Sequence, residues 1–233
     1  KGNYDIHSIV AEDAKLNVWI DKNGKDNYHF LKPSDDTLQA DTGHVAFVLE
    51  SIELKNIKVH YRDRRTKSEL HIDLNEATCS GDFTDEKFTL HTQVGFYVHQ
   101  LKSGKTTYFS ENSGSLELDA AVDQVAGSYT FEKCRLRLSD LALGINGAVV
   151  EKGNNYQLDL AVKGDEIDLP AALSLLPATY HDRLKNFEYS GKFLAEATIK
   201  GMIGDSVQPV IMADFAAGKG MEMAKKDGSI TIR

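Results

Sequence analysis

The chain has 233 residues, 41% hydrophobic and 27% charged, which is enough for one large domain with a substantial apolar interior. Its 35 acidic against 27 basic side chains give a net charge of −8, and its one basic cluster, 62–67, is interrupted by Asp63. A nucleic-acid interface concentrates positive charge, so none is expected. Two cysteines, Cys79 and Cys134, make neither a disulfide framework nor a zinc site, and whether they form one bridge or stay separate thiols is left open.

Taken in order, alternation with period two dominates. Residues 6–10 and 15–20 read as strands, the second with Leu16, Val18 and Ile20 in one row. Asn23-Gly24 signals a hairpin because both residue types tolerate positive φ, and Tyr28 and Phe30 begin its return. Residues 33–43 read as a polar loop. The most regular stretch is 47–63, FVLESIELKNIKVHYRD. It sets Phe47 and Leu49, then Ile52 and Leu54, then Ile57, Val59 and Tyr61 against charged neighbours. Leu54 and Ile57 are three apart, so a bulge or tight turn at Lys55-Asn56 is needed to keep both sets on one face.

A turn at 62–68 leads to Leu70, Ile72 and Leu74 in phase, and 77–81 reads as a further short strand. Residues 88–100 form a long strand with Phe88, Leu90, Val94, Phe96 and Val98 on one side, and Thr89, His91, Gln93, Tyr97 and His99 on the other. Shorter rows follow: Leu116, Leu118, Ala120 and Val122; Tyr129 and Phe131; Leu136 and Leu138; Leu141, Leu143 and Ile145. Asn146-Gly147 reads as another hairpin turn, after which Ala148 and Val150 pair with Tyr156, Leu158, Leu160 and Val162. Asp168 is a suitable N-cap and Pro170 fits a first helical turn. Leu169, Leu173 and Leu176 share a face of that helix, Pro177 ends it, and 179–187 holds a second short helix. Alternation resumes at Phe193, Ala195, Ala197 and Ile199; 201–207 reads as a loop, and strands at 210–216 and at Ile230 and Ile232 complete the chain. The expected fold is mainly β: a curved antiparallel multi-strand sheet or groove with one or two short helices near 168–187. It forms a single region, 1–233, with sub-blocks 1–42, 43–165 and 166–233. The abrupt start at Lys1 and stop at Arg233 read as a piece of a longer chain.

Three segments carry a resemblance. The first is 15–34, KLNVWIDKNGKDNYHFLKPS; the second is 47–63, with Asn56, Tyr61 and Asp63 at marked positions. The third starts at Asp159, with Ala161, Gly164, Asp165, Ile167 and Asp168. It runs on through LPAALSLLP, Gly191-Lys192, EATIKG and Pro209. In this order they resemble the AsmA family of Gram-negative envelope proteins; the middle, 77–124, carries no motif of that family. The resemblance implies a long, curved, repeating β-groove, anchored in the inner membrane through a segment outside this sequence. It implies a periplasmic, non-enzymatic protein without a cofactor, which binds phospholipid or another acyl lipid and supports lipid transport and outer-membrane biogenesis.

The residues themselves suit that role. Alternating strands place an apolar strip on one face and a wet surface on the other. An acyl chain in water forgoes about 0.8 kcal/mol per methylene, roughly 10 kcal/mol for a long chain, and the strip need only remove that penalty. The expected lining is Phe47, Leu49, Ile52, Leu54, Ile57, Val59, Phe88, Leu90, Val94, Phe96, Val98, Leu116, Leu118, Leu158 and Leu160. Two rivals stand beside it: a closed β-sandwich that binds a protein or glycan partner, and a hydrolase using turn carboxylates such as Asp82 and Asp85. His60, His71, His91 and His99 show no metal-ligand spacing and read as wet-face strand residues. His91 and His99, eight residues apart on one strand, are separated by about 27 Å.

Overall fold

The computed structural model describes residues 7–28, 49–83, 85–153, 155–204, 207–218, 220–228 and 231–232. Alternating side chains become long strands joined by tight turns. In chain order these are β1 (Ser8–Glu12), β2 (Lys15–Ile20), β3 (Ser51–Asp63), β4 (Ser68–Ser80), β5 (Lys87–Ser103), β6 (Thr106–Asp123), β7 (Ser128–Leu138), β8 (Leu141–Lys152) and β9 (Asn155–Asp168). Two short helices, α1 (Leu169–Ser174) and α2 (Ala178–Leu184), precede β10 (Phe187–Ser190), β11 (Lys192–Ile203), β12 (Val210–Ala217), β13 (Glu222–Lys225) and β14 (Thr231–Ile232).

Eleven of these strands make one open sheet in the order β1-β3-β4-β5-β6-β7-β8-β9-β11-β12, with β2 also on β3. From β3 to β12 every pairing is antiparallel. Strands β10, β13 and β14 form a small separate sheet, and α1 packs on β9 and β10. The Asp168 carboxylate accepts from Ala171 N at 2.9 Å and caps α1 as expected.

The edge next to β3 departs from the all-antiparallel expectation. Both β1 and β2 run parallel to β3, with Ile9 opposite Ile52 and Val18 opposite Tyr61. Asn23-Gly24 starts no hairpin strand among the described residues; only a bridge joins Ile20 and Asp26. Side chains close this turn instead. Asp21 Oδ1 accepts from Asn23 N and Lys25 N, and Asn27 bonds back to Trp19 N and Asn17 O. Residues 29–48, including Phe30, the 33–43 loop and Phe47, lie outside the described residues, as do Ile6 and Ile230.

Bulges keep the apolar rows in phase. Asn56 adopts φ 54° between Leu54 and Ile57, the phase shift that the spacing requires. Opposite it, the register of β4 against β5 slips between Leu74 and Glu76. A second slip lies between His71 and Ile72, where His99 is inserted in β5; Glu111 beside it has φ 55°. A third falls between Phe131 and Arg135. The row 77–81 is the continuation of β4 across the first bulge, and Gly201 and Ile203 extend β11.

Asn146-Gly147 is not a turn. Both residues lie within β8, where Gly147 pairs with Leu160 at φ 123°. A Cβ at Gly147 would collide with the Asp159 carbonyl, so this glycine permits close backbone approach. The apolar row of β8 therefore continues from Ile145 through Gly147 to Val149, while Ala148 faces Asp159 on the other side.

Among the described residues, no second layer covers the large sheet. Among the described residues, substantial contact between its strands occurs only between hydrogen-bonded neighbours. The buried apolar set among the described residues is small, namely Ile20, Ile57, Ala77, Val98, Ala120, Val122, Cys134 and Ile167, and no large side chain among them is fully buried. A closed sandwich would have a sealed interior of large apolar residues. No helix among the described residues is long and apolar enough to cross a membrane.

Candidate functional site: an uncovered apolar strip

Cross-strand register turns separate rows into one surface. Ile57 pairs with Leu74, which pairs with Phe96; Val59 pairs with Ile72, which pairs with Val98. Leu54 leads through Ala77 and Val94 to Leu116, Leu136 and Leu143. Ile52 leads through Cys79 and Thr92 to Leu118 and Cys134. Phe88 leads through Val122, Tyr129 and Val149 to Leu158. Leu90 leads through Ala120, Phe131 and Gly147 to Leu160, then to Ile199 and Ile211 on β11 and β12.

The expected lining residues from Ile52 to Leu160 thus share these rungs. Leu49 precedes β3, half-buried, its carbonyl accepting from Phe83 N at 3.3 Å. The candidate set omitted Leu74, Val122, Phe131, Leu136, Leu143, Val149 and Ile199. Except for Val149, hidden when Asn146-Gly147 is read as a turn with Ala148 and Val150 as the row, their period-two rows are visible in the sequence; the register that joins them to the others is not.

The strip is half-open. Phe88, Leu90, Val94, Phe96, Leu116, Leu118, Leu158 and Leu160 are all intermediate in exposure, whereas the intervening Thr89, His91, Gln93, Glu117 and Asp159 are exposed. The path from β1 to β12 crosses nine strand spacings, about 43 Å at roughly 4.8 Å each. One acyl chain needs about 15 Å, half of a bilayer's hydrocarbon thickness. Cys79 and Cys134 sit on one rung with β5 and β6 between them, about 14 Å apart, and both are free thiols.

Charge lies on the opposite face. Lys200 meets Asp159 at 3.1 Å, Lys163 meets Glu196 at 3.3 Å and His91 meets Asp119 at 2.9 Å, all cross-strand pairs. Such exposed pairs contribute little to stability, but they make the two faces chemically distinct. His91 and His99 share no partner, because His99 meets Asp73 at 3.1 Å. Asp82 and Asp85 remain in the turn before β5, where Asp85 N donates to Asp82 O.

The same wet face brings together residues that sequence spacing did not connect. Among the described residues, His60, Glu69 and His71 are the group with metal-ligand proximity. His60 Nε2 and His71 Nε2 lie 3.0 and 3.2 Å from Glu69 Oε1, and Arg62 Nη2 donates to that oxygen at 2.8 Å. The hydrogen bond from Arg62, then that from His60, outweigh burial and hold the Glu69 carboxyl down at about 2. The signal that could have joined them is the turn read at 62–68: it occupies 64–67, and the register it sets places His60 directly opposite His71.

Comparisons with protein-family models, curated proteins and solved structures find no match to this chain.

Proposed function

We propose that this chain is a non-enzymatic, AsmA-like lipid-binding segment whose apolar strip shields acyl chains of phospholipid or a related lipid. The observation that carries the reading is the continuous apolar face that no other described part of the chain covers. A surface of this kind is unfavourable in water unless something apolar occupies it. A strip longer than one acyl chain suits passage of lipid along the sheet. The periplasmic setting, the inner-membrane anchor outside this sequence and the role in outer-membrane assembly rest on the three resembling segments.

The test is native mass spectrometry of the protein purified from cells, with lipid extraction alongside. Wild-type protein is expected to carry phospholipid. The pair Val94→Asp and Phe96→Asp, in a protein retaining its β spectrum, is expected to carry little. Lipid-free wild type that also ignores a fluorescent fatty acid would remove the reading.

A partner-binding module is the second reading, favoured by β12. All eight residues of this edge strand are exposed, with Val210, Ile211, Met212 and Phe215 at 63%, 65%, 58% and 72%. Its outer backbone edge, unpaired among the described residues, would accept another strand.

A further inference from the structure

The wet face of the β3–β4 hairpin carries a constellation independent of the lipid reading. His60 and His71 are cross-strand partners, one rung in phase from the Arg62–Glu69 pair. Their rings meet edge-to-face with centroids 4.0 Å apart. Both turn Nε2 towards Glu69 Oε1, and the three ligand atoms lie within 4.8 Å of one another. Tetrahedral Zn²⁺ with bonds of about 2.0–2.1 Å sets its ligand atoms about 3.3–3.4 Å apart. The two N–O separations are already close to that.

We propose that His60, Glu69 and His71 form a binding site for a divalent transition metal of the zinc, nickel or copper class. Two imidazoles and one carboxylate select such ions over magnesium and calcium, which prefer all-oxygen cages. Three protein ligands leave one tetrahedral position for water or an anionic oxygen. His60 and Arg62 also line a cleft of about 400 Å³ with Asn17, Trp19, Asp21 and Arg64. The side chains of His60, Glu69 and His71 are 34%, 26% and 41% exposed, so an ion reaches them without opening the sheet.

Arg62 is the competitor. Its guanidinium holds the carboxylate oxygen that the ion needs. At 47% exposure it has room to turn into solvent, which lowers affinity without blocking the site. A bound ion would tie β3 to β4 beside their turn, near the sheet edge formed by β2.

The experiment uses the whole 233-residue chain, stripped with chelator and titrated with Co²⁺ by visible absorption and with Zn²⁺ by calorimetry. One equivalent of Co²⁺ should give tetrahedral ligand-field bands that Zn²⁺ abolishes. His60→Ala and His71→Ala should each weaken binding more than about tenfold, since loss of an outer-shell partner alone costs 10–100-fold. His99→Ala, a neighbouring wet-face histidine, should leave binding unchanged, and Arg62→Gln should tighten it. In wild-type protein, imidazole ¹⁵N spectra should show Zn²⁺ moving the Nε2 signals of His60 and His71, a readout that needs no variant. Absence of ligand-field bands and of Zn²⁺ heat overturns the proposal. So does binding that survives in the His60→Ala/His71→Ala double variant, or Nε2 shifts confined to other histidines.

Discussion

Asp63 ends β3 and is the one buried charged residue among those described, at 4% exposure. Burial alone would raise its pKa. The Arg65 and Thr66 amides, which donate to Oδ1 at 2.8 and 3.3 Å, and the Arg65 guanidinium at 3.5 Å reverse this and leave it lowered. A carboxyl whose folded pKa is depressed contributes stability in full above its unfolded pKa, and loses it as pH falls through the folded value. Asp63→Ala should therefore cost about 1–3 kcal/mol in urea unfolding at neutral pH. That difference should shrink as the pH is taken below the ordinary carboxylate range. Gly147 offers a second test at this scale. Gly147→Ala combines a strained φ with a collision against the Asp159 carbonyl, and should cost at least about 2 kcal/mol. A neutral result would mean that β8 and β9 have room to separate there. Gly147 also marks what a single sequence conceals. Asn-Gly is turn chemistry in isolation, and only the pairing with β9 reveals a glycine placed for close approach.

At the scale of elements, the rows were legible because period two needs no knowledge of the partner strand. The irregularity at Asn56 was legible too, since Leu54 and Ile57, three apart, share a face only where the backbone departs from regular alternation. Asn tolerates φ 54°, whereas a β-branched residue does not. Asn56→Val should destabilise by about 1–2 kcal/mol and Asn56→Gly should be nearly neutral, read from shifts in the urea midpoint. The parallel seating of β1 and β2 was not legible, because it depends on a non-local choice of edge that the Asn23-Gly24 signal does not govern. The His60–Glu69–His71 group lay between these cases. Each residue was visible, but their meeting depended on counting through the 62–68 turn.

At the scale of the molecule, the proposed lipid reading rests on addition. Half-exposed side chains, each ordinary alone, line up across successive strands into a face that no other part of the described chain covers. The cross-strand ion pairs and the His60–Glu69–His71 group lie on the other face, so substitutions at the proposed metal site should leave lipid content unchanged. The Val94→Asp/Phe96→Asp pair should likewise leave Zn²⁺ heat unchanged. Mass spectrometry and calorimetry on the two sets of variants check this separation.

A sheet whose described strands make substantial contact only with their hydrogen-bonded neighbours also behaves as a nearly one-dimensional chain of couplings. Each interior strand has two partners to hold it, and an end strand has one. Opening should begin at β12 and move inward, with β4 to β8 the last to yield. Native-state hydrogen exchange should show amide protection climbing stepwise from β12 through β11 and β9 to that centre. Uniform protection across the sheet would instead mean all-or-none unfolding. With graded protection, the molecule would fray and reclose one strand at a time, its interior hairpins surviving loss of the edge.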